Sequence, residues 1–214
     1  MDKNVKRLLH KIVDDCIENN VGINFHNNDY YIDDDEGDTA GLFDDSVKGK
    51  EQMTIAIKRN PRIISWVDVM AHEYCHFLQW KNKTNIHKKY DKFFTKHGNP
   101  VHRYCQGKRV TKKLVKEATR LSVLIEAEAE TMTVELLKKY NIPIDIPTYI
   151  KNANLYILGY FFTQEYGMET KGISMRMSKK TDIVPDKFLR YIDYEKYYKD
   201  NQKVIDRFIW KYGV

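Results

Sequence analysis

Ser65-Trp66-Val67-Asp68-Val69-Met70-Ala71-His72-Glu73-Tyr74-Cys75-His76-Phe77-Leu78-Gln79-Trp80 is the stretch whose reading decides the fold. Val67, Val69, Met70 and Ala71 on one side, and Phe77, Leu78 and Trp80 on the other, embed a polar centre in apolar sequence. Pro61 and Ser65 mark an opening, and Ser65 with Asp68 three residues on reads as a capping box with Asp in place of the usual Glu, so a helix is expected over 66–80. Within it stands H-E-x-x-H, His72-Glu73-Tyr74-Cys75-His76. Residues i and i+4 of a helix differ by about 40° around its axis, so both imidazoles point the same way and can share one ion. Glu73, one residue past the first histidine, is placed to reach a water on that ion, the general-base position. With 7 His and 12 Glu in 214 residues, a random chain would contain this pattern roughly once in eighty cases. A buried polar trio without partners would cost on the order of 1 to 3 kcal/mol per group, and a metal supplies the partners.

Upstream, Val5, Leu8, Leu9, Ile12, Val13, Cys16 and Ile17 follow the i, i+3, i+4, i+7 spacing of a helix with one buried face. Val21 to Phe25 and Met53 to Ile57 alternate as half-buried strands do, with Tyr30 to Ile32 a weaker strand, so a small N-terminal sheet is expected. The acidic run Asp33-Asp34-Asp35-Glu36-Gly37-Asp38 lacks the Gly position and closing Glu of an EF-hand loop and reads as a solvated turn. Downstream, helices are expected over His87 to Lys96, ended by Gly98-Asn99-Pro100, over about Thr111 to Tyr140, and from Pro147 to about Tyr166 with Asp145 as cap. Short helices follow at Tyr191 to Lys199 and Gln202 to Trp210. The architecture is α+β: a small antiparallel or mixed sheet, an active-site helix, a long ligand helix and a helical C-terminal part.

Composition bounds the rest. Hydrophobic residues make up 42% and charged residues 31%, with 10 Gly and 5 Pro, which describes a chain that folds and excludes low-complexity architectures. Cys16, Cys75 and Cys105 form neither a CxxC pair nor a dense framework, and no signal peptide opens the chain, so the expected compartment is the cytoplasm. Leu155 to Phe162, the longest apolar run, is far shorter than the roughly 20 residues of a membrane span. The net charge of +6 and pI near 9.0 permit an acidic partner without requiring one. Gly107-Lys108-Arg109-Val110-Thr111-Lys112-Lys113 is the one basic cluster, and no nucleic-acid-binding motif accompanies it.

Catalytic zinc takes three protein ligands and a water, so a third ligand is needed. Position 82 is Asn, which excludes the metzincin spacing, and Asp15-Cys16-Ile17 is a poor match to the cysteine segment of a peptide deformylase. Cys75 falls on another side of the helix and reads as a small core residue. The candidates are a downstream histidine, best His87, or a carboxylate of Glu126-Ala127-Glu128-Ala129-Glu130. Taking Leu114 as zero, Glu128 falls at about 320° beside Glu117 and Glu135, a solvated charged face. Glu126 at about 120° and Glu130 at about 160° fall on a mostly uncharged flank next to the core, where two carboxylates want a cation or a hydrogen-bond donor.

His72-Glu73-Tyr74-Cys75-His76 followed by Glu126-Ala127-Glu128-Ala129-Glu130 resembles a gluzincin, the zincin metallopeptidases whose third ligand is a Glu on a later helix. The likeness extends to small phage and bacterial metallopeptidase-like proteins with HEYxHFxQW, an acidic helix and a segment like Tyr149-Ile150-Lys151-Asn152-Ala153-Asn154-Leu155-Tyr156, and covers roughly residues 65 to 160. The resemblance implies a minimal zincin-like metallopeptidase domain over 1–165 with a helical extension over 166–214 packed on it. It implies Zn2+ held by His72, His76 and Glu126, with Glu130 as the orienting carboxylate, Glu replacing the usual Asp, or as the alternative ligand. It implies hydrolysis of a peptide or protein substrate by a metal-activated water with Glu73 as general base, in the cytoplasm, that of the host if the protein is phage-encoded. Met53 to Ile57 is then the candidate substrate strand, and His97, His102, Tyr104, Tyr156 and Tyr160 are candidate oxyanion donors. The rival readings are a His-ligand zincin of the SprT-like kind using His87 and acting on DNA-associated proteins, and a zincin fold that binds or senses without general peptidase activity. No membrane partner is expected.

Overall fold

The structure of the protein, a computed structural model, describes residues 1–27, 31–33, 37–47, 49–57, 64–170 and 183–212. It is α+β, with five strands and seven helices among the described residues. In chain order these are α1 (Lys3–Glu18), β1 (Gly22–His26), β2 (Tyr31–Asp33), β3 (Gly37–Thr39), β4 (Gly41–Asp44), β5 (Gln52–Ala56), α2 (Ile64–Asn82), α3 (Asn85–His97), α4 (Pro100–Cys105), α5 (Lys112–Lys139), α6 (Ile146–Tyr166) and α7 (Tyr191–Tyr212). No described helix is long and apolar enough to cross a membrane. Tyr30, Asp34 to Glu36, Pro61 and residues 171–182, on which sequence expectations also fall, lie outside the described residues.

The chain forms two compact units. Met1–Lys83 with Ala129–Ile144 make the first, and Thr84–Glu128 with Asp145–Val214 the second. The boundary between them falls inside α5, which is one unbroken helix.

In the first unit a mixed three-stranded sheet has the order β1-β5-β4, with β1 parallel and β4 antiparallel to β5, while β2 and β3 pair with each other. Helix α2 packs on β4 and β5, and α1 packs on β1 and α2. The buried stripe of α1, Val5, Leu8, Ile12 and Cys16, meets a core that includes Met53, Ile55, Met70, Ala71 and Phe77. Two expectations change here. Met53 to Ile57 does not offer an edge: β5 is the central strand, buried at Met53, Thr54, Ile55 and Ala56, because its backbone groups are taken up by a neighbour on each side. The edges are β1, mostly exposed, and β4. The start of α2 differs as well: the helix begins at Ile64, so Ser65 has helical backbone rather than the non-helical backbone of an N-cap, and Asp68 accepts from the Val69 N–H.

The second unit is helical. Its core joins Val123 of α5 to Leu155, Ile157, Leu158, Phe161 and Phe162 of α6 and to Tyr194, Tyr198, Ile205 and Ile209 of α7. Asp145 caps α6 with Pro147 in its first turn, and Gly167 ends it in the left-handed conformation that glycine adopts without strain. Fully buried Asn154 donates to the carbonyls of Pro185 and Lys187 and accepts from the Tyr194 hydroxyl, so its amide is satisfied inside the core. The two short helices expected after 190 are one: Tyr194, Tyr198, Ile205 and Ile209 continue a single buried stripe, and Asn201 bonds back to the Tyr197 carbonyl. Helix α4 was not anticipated, although Asn99-Pro100 is a cap followed by proline at the first helical position.

One polar contact ties α1 to α2. Asp15, 5% exposed, accepts from Lys11 Nζ at 2.6 Å and from the Tyr74 hydroxyl. Burial alone would raise its carboxyl, but the Lys11 and Tyr74 bonds outweigh burial and hold it below the ordinary carboxylate value. A carboxyl lowered on folding contributes stability above its unfolded value of 3.8, and that contribution is lost as pH falls through the lower folded value. Tyr74→Phe should therefore destabilise the protein by about 1 to 3 kcal/mol in urea unfolding. A pH series should also show a smaller loss of stability on acidification than in the wild type, because a less depressed Asp15 carboxyl leaves less to be lost.

Candidate metal centre

His72 and His76 lie one turn apart on α2, and their rings meet edge to face with centroids 4.6 Å apart. Each ring faces an oxygen on its far side. His76 Nδ1 is 2.8 Å from Gln79 Oε1, and Gln79 is fully buried. His72 Nδ1 is 3.5 Å from Glu130 Oε1 on α5. The Gln79 bond places the proton of a neutral His76 ring on Nδ1, while His72 Nδ1 stands at an ion-pair distance from Glu130 rather than in a hydrogen bond. The two Nε2 atoms face each other 3.1 Å apart, a distance at which one ring can donate to the other or both can share a cation. Two lone pairs at that distance repel unless a proton or a cation lies between them.

The spacing suits a metal ion. Two nitrogens bonded at 2.0–2.1 Å to one tetrahedral zinc are about 3.3 Å apart. Glu126 completes the set: His72, His76 and Glu126 each offer one ligand atom, all within 4.8 Å of one another, and they are the group of three such residues found among the described residues. This cluster can hold a metal ion, and two imidazoles with a carboxylate are a donor set used by catalytic zinc. Glu126 and Glu130 are one turn apart on α5, so one helix carries both the third ligand position and the oxygen facing His72. His87 is not in the group; it lies half-buried on α3, its backbone N–H bonded to the Thr84 hydroxyl.

The remaining acidic residues divide by surroundings. Glu128 is half-buried rather than solvated, because Thr84, the cap of α3, donates its hydroxyl to Glu128 Oε2 at 2.9 Å. Burial pushes Asp68 up to about 7; the Val69 N–H opposes the rise, nearby Glu130 adds to it and His72 opposes it. Cys75 is buried, which pushes its thiol up to about 11 despite a bond with Thr133, so it stays a protonated core residue. The other free thiols, Cys16 and Cys105, are also raised to about 11 by burial. Among the candidate oxyanion donors, His102 is held by Glu169 at 2.9 Å and by Gln106, and the Tyr104 ring packs against Gly167.

Glu73 is buried at 6% exposure, and Gly41 of β4 accounts for its place. A Cβ on Gly41 would lie 2.8 Å from Glu73 Oε1, 2.9 Å from its Cγ and 2.5 Å from Val69 Cγ1. Only a residue without a side chain lets the strand backbone approach the helix this closely, and the composition and motif reading had not singled it out. Phe43, two residues on, packs its ring against Phe77 and Trp80 at 5.9 Å and holds β4 on the same helix face. No protein-family model matches this chain, and neither the curated proteins nor the solved structures compared with it contain a match.

Gly41→Ala should force the Glu73 carboxylate aside while leaving both histidines in place. The expected result is a displaced Glu73 side chain in the variant's crystal structure, with the stoichiometry of divalent metal measured by atomic absorption unchanged from the wild type. Loss of the bound metal instead would show that the strand supports the histidines rather than Glu73.

Proposed function

We propose that the protein is a zinc-dependent metallopeptidase of gluzincin type that hydrolyses peptide bonds in the cytoplasm. The observation that carries this reading is the convergence of His72, His76 and Glu126 within 4.8 Å beside buried Glu73. His72, His76 and Glu126 would hold the ion. When bound, zinc supplies Lewis acidity that brings the pKa of a bound water toward neutrality and polarises a carbonyl.

The protein's own groups perform the rest. Glu73 accepts the proton of the attacking water and returns it to the leaving amine, and its burial keeps bulk water from competing for that proton. Glu130 and Gln79 hold the two rings with Nε2 aimed inward, a role that outer partners of ligand histidines commonly serve. Beside Glu73, the sheet edge is β4, whose Gly41 backbone touches the Glu73 side chain, so an extended peptide would pair along β4 rather than β5. Glu130 is an orienting carboxylate in this scheme and Glu126 the ligand.

The test is metal content and hydrolysis of a peptide library. The wild type should bind one Zn2+ and cleave; Glu73→Gln should bind one Zn2+ and lose about 10²- to 10⁴-fold in rate. Glu126→Ala should lose most of the metal affinity and His87→Ala should keep it. A wild-type protein without stoichiometric metal would refute the reading, and equal inertness of metal-loaded wild type and Glu73→Gln would leave a binding protein in its place.

A further inference from the structure

Two tyrosines of α6 stand in line with the third ligand position. Tyr156 and Tyr160 are one turn apart and half-buried, their hydroxyl oxygens are 2.9 Å apart, and their rings meet edge to face at 5.5 Å. The Tyr160 hydroxyl donates to Glu126 Oε1 at 3.4 Å. Tyr156, Tyr160 and Glu126 all belong to the second unit. A phenol has one proton to donate. If Tyr160 gives its proton to Glu126, its oxygen is left to accept from Tyr156, and the donor order becomes Tyr156 to Tyr160 to Glu126.

This order bears on how a metal would be held. A glutamate side chain loses rotamer freedom when its carboxylate is fixed. A ligand fixed before the ion arrives does not incur that cost on binding. His76 is held from outside by its bond to Gln79, and the Glu130 carboxylate faces His72 at 3.5 Å. The phenol pair gives the carboxylate the same treatment from a different helix.

We propose that Tyr160 is a positioning residue for the third ligand, holding the Glu126 carboxylate in its ligand orientation, and that Tyr156 directs the Tyr160 hydroxyl toward it. The inference rests on the metallopeptidase reading only in taking Glu126 as a ligand. Neither tyrosine is assigned a proton transfer, and their effect runs through Glu126.

The experiment measures Zn2+ affinity by competition with a chromophoric chelator and the visible absorption bands of the Co2+-loaded protein. Tyr160→Phe should weaken Zn2+ binding about tenfold and shift the Co2+ bands, with an unchanged circular dichroism spectrum. Tyr156→Phe should weaken binding in the same direction by less, and should add nothing once Tyr160 is Phe. In a Glu126→Ala background, with metal concentrations high enough to occupy the two remaining histidines, Tyr160→Phe should change neither readout. A purely structural role for the phenols would weaken both backgrounds alike, and that result overturns the proposal. So does a Tyr160→Phe protein with wild-type Zn2+ affinity and Co2+ bands. A wild type that binds no Zn2+ overturns the metal reading as well, so the two failures are separable.

Discussion

The constraint on which the site depends is the confrontation of two imidazole nitrogens. Helix geometry brings His72 and His76 to one side of α2, with Gln79 bonded to the outward nitrogen of His76 and Glu130 facing that of His72, so the two Nε2 atoms meet at 3.1 Å. At that distance one ring can donate to the other, or the two can share a cation, so the pair is the point from which an ion would be held. Glu73 is buried next to the pair in sequence, and β4 closes on it at Gly41.

Helix α5 acts as a ruler. Glu126 and Glu130 are four residues apart on one continuous helix, so an oxygen that faces His72 and an oxygen that joins the ligand group are separated by one rigid turn. A loop could not maintain such a spacing without further bonds of its own. Thr133, one turn beyond Ala129 and bonded to its carbonyl, is buried near Cys75 on the same side, so the C-terminal half of α5 is fastened where the carboxylates must point. The residues that face the three-residue group therefore lie on α2, α5 and α6, helices that were readable from a motif and cap, from periodicity, and from a cap with proline respectively.

Legibility in the sequence followed the range of the interaction. The H-E-x-x-H spacing, the paired carboxylates at 126 and 130, the Asp145 cap and the stripe of α1 are repeats of 3.6 residues or their end signals, and one turn of backbone explains each. What failed was of longer range or finer context. Sheet order placed β5 in the centre because β1 and β4 both pair with it, a choice that alternation in Met53 to Ile57 does not encode. Glu128 looked solvated on a helical wheel, yet a threonine 44 residues away donates to it. The two short helices expected at Tyr191 to Lys199 and Gln202 to Trp210 are one, because the apolar stripe of α7 runs through both.

By itself, the sequence determined that a helix would present two histidines and a carboxylate at fixed angular offsets, and that a later helix would carry two carboxylates on a flank next to its core. Those facts depend only on backbone geometry and residue type. Tertiary structure alone decided which of the twelve glutamates join the histidines, that His87 stays apart, that Gly41 must lack a side chain, and that Tyr160 meets Glu126. Each of these is a contact between residues distant in the chain, and its existence follows from how helices and strands pack, which no local period records.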